Sequence, residues 1–307
     1  MTDTRSELRR FLQLRDAQGV SHFEVESVES EPTHERWRIH YPSRDGEAIP
    51  AFLLIPQGLR APTAAVLLHH QHAGQRHFGK SEVCGLVGDP LQAFGPSLAA
   101  RGIIVLAPDS ICFEDRRTGR TGTEPHESDW QQHYNEMSYR LLRGDTLLRK
   151  VLEDAEVALS VLAGLPAVDP ARLGIAGHSY GGNTVLFQAA LDERVRYACS
   201  SGALCSFRTK MQHGTGIELS LAVPGLLARL ELDDLVRCCA PRPLLVVSAA
   251  EDEYARDAPD LVRLAAPSYA AQNAASSLEL AYFEGGHALT PARFERIITW
   301  LAQRAGL

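Results

Sequence analysis

A glycine-rich turn between an apolar run and a helix-forming run constrains this chain most. The turn is Gly177-His178-Ser179-Tyr180-Gly181-Gly182, and it follows Leu173–Ala176 and precedes Asn183–Leu191. Glycine costs conformational entropy inside regular structure, so three glycines around one serine indicate a backbone that larger residues do not adopt easily. A short buried strand that passes into a helix through such a turn is typical of a parallel sheet covered by helices.

Further apolar runs and alternating segments predict the rest of that sheet. Runs that are apolar at nearly every position are typical of strands buried on both faces of a parallel sheet, and an alternating pair around a turn predicts a hairpin. The sequence therefore predicts an α/β fold with a mainly parallel eight-stranded sheet and helices on both faces. The expected strands are Trp37–Tyr41, Pro50–Ile55, Ala64–His69, Gly102–Ala107, Leu173–Ala176, Val195–Cys199, Leu244–Ser248 and Leu278–Phe283.

The domain organisation follows from helical spacing and from two long connections. Residues 1–30 are predicted to form a helical extension, because apolar residues between 4 and 17 recur at helical intervals. Residues 31–307 are predicted to form one domain. Within it, 109–144 and 202–240 are longer than simple connections. Long segments of this kind are often functional, so both are expected to form cap insertions over a site.

Composition and charge exclude several classes of protein. The 307 residues are 45% hydrophobic and 22% charged, with a net charge of −7. An acidic chain with scattered basic residues does not favour nucleic acid or an anionic membrane as a partner. No apolar stretch approaches the length of a membrane span, and the N-terminus lacks the apolar core of a secretion signal. We expect a cytoplasmic protein that acts on a small molecule, with a homo-oligomer possible.

Cysteine and histidine patterns indicate neither a disulfide framework nor a metal centre. The six cysteines include no C-x-x-C pair. His69, His70, His72 and His77 are close in sequence and could be metal ligands. However, nearby carboxylates form no recognisable ligand set, and H-E-x-x-H is absent. The sequence therefore predicts no metal and no cofactor.

The turn around Ser179 has the pattern G-x-S-x-G at a strand-to-helix junction, which is the setting of a nucleophile elbow. A serine hydroxyl needs a base to remove its proton and an acid to orient that base. Both follow at the ends of late strands, as His287 in a glycine loop and Asp252 after Leu244–Ser248. Glu251, Glu253 and Asp257 lie in the same acidic loop, and Asp252 is the preferred residue. The predicted catalytic residues are Ser179, Asp252 and His287.

Such a reaction also needs amide donors for the negatively charged oxygen of the tetrahedral intermediate. The backbone N–H of Tyr180, directly after the serine, is one predicted donor. The second is expected from the loop after His69, and the amide of His72 is preferred.

Several of these segments together resemble the α/β-hydrolase superfamily, and within it the dienelactone hydrolase and acetyl xylan esterase-like branch. The residues that carry the resemblance are Leu68–Gly74, Val168–Gly182, Ala240–Leu245 and Gly285–His287. In this family's arrangement Ser179 is the nucleophile, Asp252 the acid and His287 the base. Two glycines of the family's His-Gly-x-Gly-Gly loop are replaced by Gln71 and Ala73, and Ser179 stands where true dienelactone hydrolases have cysteine.

The expected function is that of a serine hydrolase that cleaves a carboxylic ester of a small molecule through an acyl-enzyme. The predicted pocket residues are His70, Gln71, Phe113, Trp130 and Tyr134, with the aromatic ones forming a wall from the first cap insertion. Two alternatives remain open from the sequence. One is a peptidase or amidase of the same fold, and the other is a binding protein that has the fold without catalysis.

Overall fold

The computed structural model describes residues 4–16 and 22–307, and a single sheet of nine strands runs through it. Hydrogen bonding joins the strands in the order β1-β2-β3-β5-β4-β6-β7-β8-β9. All pairings from β5 to β9 are parallel, whereas β1, β2, β3 and β5 pair antiparallel. The strands are β1 (Glu24–Ser30), β2 (His34–Pro42), β3 (Ala48–Pro56), β4 (Thr63–His69), β5 (Ile104–Pro108), β6 (Val168–His178), β7 (Tyr197–Ser201), β8 (Leu244–Ala249) and β9 (Leu278–Phe283).

The mainly parallel α/β sheet is as predicted, but the count of eight strands is too low by one. The additional strand is β1, which pairs antiparallel with β2 at the edge of the sheet. All seven of its residues are exposed, so it has no apolar run by which a buried strand is recognised. Residues 24–30 therefore belong to the sheet and not to a helical extension. The described helical part of that extension is Thr4–Phe11, and residues 1–3 and 17–21 lie outside the described chain.

Ten α-helices are found in the described residues, and none combines the length and apolarity needed to cross a bilayer. They are α1 (Thr4–Phe11), α2 (Lys80–Val83), α3 (Phe94–Ala99), α4 (Asp129–Leu142), α5 (Leu147–Ala163), α6 (Tyr180–Leu191), α7 (Phe207–His213), α8 (Leu232–Cys239), α9 (Ala258–Ala270) and α10 (Pro291–Arg304).

The core lies on both faces of the sheet. In β4 the residues Ala65 and Leu67 belong to the core cluster on one face of the sheet, which also contains residues of α5, α6, α8 and α9. The alternate residues Val66 and Leu68 belong to the cluster on the other face, which also contains residues of α3 and α10. All four side chains are fully buried, which explains why this strand is apolar at almost every position.

The strand order places the site. From β4 the chain crosses to β5 on one side, and β6 lies on the other side of β4. In open α/β sheets such a reversal leaves a crevice at the carboxyl ends of the strands, where ligands bind. The loop after His69 and the turn at Ser179 meet at this crevice. Helices α4 and α7 and the segment around Glu218, from the two long insertions, lie above it.

Candidate active site

Ser179 occupies a strained turn between β6 and α6. Its backbone has φ +55° and ψ −116°, a conformation that residues other than glycine rarely adopt. Its amide donates to the carbonyl oxygen of Ser201 at 2.8 Å, which ties the turn to the end of β7. The surrounding sheet thus holds the turn in place, and the serine side chain projects from the carboxyl edge.

Two of the flanking glycines are required by close approach of backbone. A Cβ atom on Gly181 would lie 2.1 Å from the carbonyl oxygen of His69, at the end of β4. A Cβ atom on Gly177 would lie 2.6 Å from the carbonyl carbon of Gly181. Neither obstacle is a flexible side chain. The glycines therefore let α6 begin directly against β4 and β6.

Ser179, His287 and Asp252 form one chain of hydrogen bonds. The Oγ of Ser179 lies 2.9 Å from Nε2 of His287, and Nδ1 of His287 lies 2.9 Å from Oδ1 of Asp252. Asp252 follows β8 and His287 follows β9, so neighbouring parallel strands bring the two loops together. The structure brings together all three residues predicted from the sequence.

Asp252 is 2% exposed and is held as a carboxylate. Burial raises the pKa of this group, but hydrogen bonds from His287 and from the amide of Tyr254, at 2.9 Å, outweigh burial and leave the pKa below its usual value. A carboxylate at this position accepts the Nδ1 proton of His287. The other nitrogen, Nε2, then presents its lone pair to Ser179.

Two rings pack against His287. His178 stacks on it at 4.8 Å between centroids, and Tyr254 contacts it edge-on at 4.7 Å. Burial lowers the pKa of His178 to about 3, so this ring is neutral and adds no positive charge beside His287. His178 is itself held by Ser201, whose Oγ lies 3.0 Å from its Nδ1. The packing restricts the orientation of the His287 ring.

The residues of the two predicted amide donors line the same cavity as the serine. Tyr180 is the first residue of α6, and His72 lies in the loop after β4. Within the described chain, neither backbone N–H has a hydrogen-bond acceptor. The first N–H groups of a helix have no partner inside the helix, which leaves the Tyr180 amide available to an anion.

The cavity at Ser179 has a volume of about 670 Å³ and lies between the sheet edge and the cap. Trp130 of the predicted aromatic wall lines it, stacked at 5.2 Å on Tyr134. Five polar residues that were not predicted also line it: Arg76, Asn183, Lys210, Glu218 and Tyr254. Arg76, Lys210 and Glu218 are charged residues from distant parts of the chain, and no motif marked them.

Four predicted pocket residues do not line this cavity: His70, Gln71, Phe113 and Tyr134. Phe113 is fully buried and packs its ring against His70, at 4.8 Å, and against Tyr180, at 5.2 Å. Gln71 is buried and donates to Glu82 at 3.1 Å. Tyr134 is 43% exposed and reaches the site only through Trp130. Phe113 and Gln71 are therefore buried behind the cavity wall, whereas Tyr134 lies outside it against Trp130.

The histidines after β4 point to different partners. The amide of Ser110 donates to Nε2 of His70 at 3.1 Å, so Nδ1 of His70 donates to the carbonyl oxygen of Gln71 at 2.7 Å. Burial lowers the pKa of His70 to about 4. His69 bonds to Gln188 at 2.7 Å, and His77 packs on Phe78. The ring nitrogens of these histidines do not converge, so the cluster lacks the geometry of a metal site.

One acidic cluster does have the spacing of metal ligands, but a lysine lies at its centre. Asp109, Glu114 and Asp115 are the only such group among the described residues. Nζ of Lys80 lies 2.8, 2.6 and 2.5 Å from their oxygens, respectively. The ammonium group supplies the positive charge that three close carboxylates require. We assign the cluster a structural role at the start of the first cap insertion.

Comparisons with known proteins give concordant results. The sequence matches the family described as acetyl xylan esterase over residues 11–218. YtaP of Bacillus subtilis (strain 168), assigned as a hydrolase, is 29% identical over 250 residues, with 78% of each chain covered.

Two solved structures are similar to this chain. An assigned acetyl xylan esterase from Bacteroides fragilis NCTC 9343 has a TM-score of 0.75 at 13% identity, with 91% of this chain and 73% of that chain covered. Acetyl Xylan Esterase 1 from Thermoanaerobacterium sp. JW/SL YS485 has a TM-score of 0.66 at 17% identity, with 99% and 94% covered. At these identities the two structures establish a shared fold.

Proposed function

Because the chain belongs to the acetyl xylan esterase family and is a carboxylic ester hydrolase, we propose that it is a serine hydrolase in which Ser179 attacks the ester carbonyl. The observation that supports this most is the continuous Ser179–His287–Asp252 hydrogen-bond chain, with 2.9 Å at each link. The strained turn that exposes Ser179 is a second, independent support.

In the first step, Nε2 of His287 takes the proton of Ser179 as the Oγ atom bonds to the carbonyl carbon. The imidazolium that forms is stabilised by the buried carboxylate of Asp252, which also fixes the tautomer beforehand. The negative charge on the former carbonyl oxygen is stabilised by the amides of Tyr180 and His72.

In the second step, the C–O bond to the alcohol breaks, and His287 gives its proton to the leaving alkoxide. This leaves an acyl group on Ser179. Water then enters, His287 takes one of its protons, and the hydroxide equivalent attacks the acyl carbonyl. Collapse of the second tetrahedral intermediate releases the acid and restores Ser179.

We propose that the substrate is an ester of a small molecule with a short acyl group. The support comes from the matched family and from the two similar structures, whose names give acetyl xylan esterases. A cavity of about 670 Å³ lies in the size range of small-molecule sites and is large enough for an alcohol the size of a sugar.

The proposal is tested with Ser179→Ala and para-nitrophenyl acetate. We expect kcat/KM to fall by at least about 10³-fold, because the alanine has no nucleophile, while the urea unfolding midpoint stays close to that of the wild type. Ser138→Ala, which removes an exposed hydroxyl on α4, is the matched control and should keep its activity.

Retention of more than a tenth of the activity in Ser179→Ala would contradict the assignment. A parallel assay with para-nitroacetanilide tests the amidase alternative. The ester hydrolase should prefer para-nitrophenyl acetate strongly, and comparable kcat/KM values for ester and amide would contradict that preference.

A further inference from the structure

The cavity beside Ser179 contains two buried cationic side chains that lack counter-ions. Lys210 is on α7 and is 2% exposed, and Arg76 follows the loop after β4 and is 5% exposed. Both line the cavity. Charged side chains are almost never buried to this extent unless they are paired.

Lys210 differs from the other two buried lysines in its surroundings. Nζ of Lys80 lies within 2.8 Å of three carboxylates, and Nζ of Lys150 lies 3.1 Å from both Asp45 and Glu47. By contrast, no carboxylate in the described chain lies within ion-pair distance of Lys210, and its ammonium group has no hydrogen-bond acceptor there. Burial lowers the pKa of Lys210, as expected for a largely buried ammonium group without an ion-pair partner.

Arg76 is only partly satisfied. Its Nε donates to Nδ1 of His133 at 2.9 Å, which fixes the guanidinium against the cap. Its two terminal nitrogens have no acceptor among the described residues. A guanidinium with free terminal donors is well suited to a carboxylate, because the two oxygens of a carboxylate match its fork.

Two of the carboxylates that act on Lys210 already have other partners. Glu218 lines the cavity but is bound to Nε2 of His72 at 2.5 Å and to the amide of Leu219 at 3.0 Å. Asp257 accepts from Ser206 and Thr209, each at 2.6 Å. The cavity wall thus contains two basic side chains against one carboxylate, and a ligand with negative charge would balance it.

We propose that Lys210, together with Arg76, binds a carboxylate of the substrate, so that the natural ester is one that carries a negative charge. This inference rests on the proposed ester hydrolysis at Ser179, since it concerns the same cavity. It deepens that function by naming the charge of the substrate. The carboxylate belongs either to the acyl part or to the alcohol part of the ester.

Two pairs of esters distinguish a carboxylate on the acyl part from one on the alcohol part. Para-nitrophenyl hemiglutarate and para-nitrophenyl butyrate differ by a carboxylate on the acyl part, and meta-acetoxybenzoate and phenyl acetate differ by one on the alcohol part. For at least one pair, the wild type should have a higher kcat/KM for the anionic ester. In Lys210→Met, the ratio of anionic to neutral kcat/KM should fall by about 10–100-fold, the usual range for loss of a hydrogen bond to a charged group.

The control is Arg208→Met, because Arg208 is on the same helix and is exposed, so its loss changes net charge equally without changing the cavity. Arg208→Met should keep the wild-type ratio, and Lys210→Arg should restore part of it. Lys210→Met should also resist urea better than the wild type, because an unpaired buried ammonium is replaced by an apolar side chain of similar size. If Lys210 had a purely structural role, Lys210→Met would instead resist urea less well than the wild type.

An unchanged ratio in Lys210→Met would overturn the inference, as would equal rates for both members of both pairs in the wild type. Inhibition of the wild type provides a measurement that needs no variant. Benzoate should inhibit at least about tenfold more strongly than benzamide, and equal inhibition also overturns the inference. If the wild type hydrolyses none of the four esters, the proposed function itself fails, and the two failures remain distinct.

Discussion

Replacement of Gly181 by alanine tests the link between backbone packing and catalysis. The new Cβ atom would lie 2.1 Å from the carbonyl oxygen of His69 and 2.7 Å from its carbonyl carbon. Real Cβ contacts are essentially never shorter than 3.0 Å, and the 2.1 Å distance is about 0.9 Å below this limit. His69 ends β4, which is paired on both sides, so the obstacle cannot rotate away. The start of α6 must shift instead.

That shift moves the groups that we propose perform the reaction. Ser179 and the Tyr180 amide are at the start of α6, and a displacement of about 1 Å at a reacting group costs on the order of 10²-fold in rate. Overpacking costs about 1–3 kcal/mol, and the upper end applies because backbone is the obstacle. The better helix propensity of alanine returns about 1 kcal/mol. We expect Gly181→Ala to lose about 2 kcal/mol of unfolding free energy and about 10²-fold in kcat/KM.

The assay combines urea unfolding with hydrolysis of para-nitrophenyl acetate. Gly216→Ala is the control for stability, because Gly216 has no atom within 4 Å of its ideal Cβ position and an ordinary φ. It should unfold within about 0.5 kcal/mol of the wild type, as most substitutions in open space do. Wild-type activity and stability in Gly181→Ala would refute the argument that this close approach positions the nucleophile.

Three further predictions concern Asp252, Lys80 and the pH dependence of stability. Asp252→Asn should lower kcat by about 10³–10⁴-fold with little change in KM, because an amide no longer stabilises the imidazolium of His287; a loss below tenfold would contradict its role. Lys80→Met should cost about 3–5 kcal/mol in urea unfolding, because the buried carboxylates of Asp109 and Glu114 lose their counter-charge, and an unchanged midpoint would contradict the structural role. Burial lowers the pKa of four histidines to about 4 or about 3, so the native protein binds fewer protons than the unfolded chain from about pH 6.5 down to those values. Unfolding free energy should therefore decrease as the pH is lowered from 7 to 5. Asp109, whose pKa burial raises to about 7, has the opposite effect, but the four histidines outweigh it. Equal stability at both pH values would contradict this prediction. The four histidines are His69, His70, His133 and His178.

The sequence predicted those features that depend on local pattern and chain order. Buried strands have apolar runs, and the turn at Ser179 has small residues where backbone segments meet, so both leave a local signal. The approach of Asp252 and His287 to Ser179 follows from parallel strands that end at one edge. For this reason the three residues could be named before their geometry was known.

Features that arise only from tertiary packing were not predicted. Strand β1 is exposed along its whole length and is held by hydrogen bonds to β2, which leave no hydrophobic signal. Phe113 was expected to face the substrate, but an aromatic ring in an insertion also serves to anchor it, and here it is fully buried. Lys210 and Arg76 are far apart in sequence, and only the folded cap brings their charges to one cavity.

Labelling with a fluorophosphonate, followed by peptide mass spectrometry, tests the central claim most directly. The reagent reacts covalently with a serine that is activated by a base and faces amide donors. We predict one phosphonyl group per chain, on the peptide that contains Ser179, and a loss of ester hydrolysis in proportion to labelling. A fully active protein after labelling, or a label on a different residue together with loss of activity, would contradict the claim that Ser179 is the nucleophile.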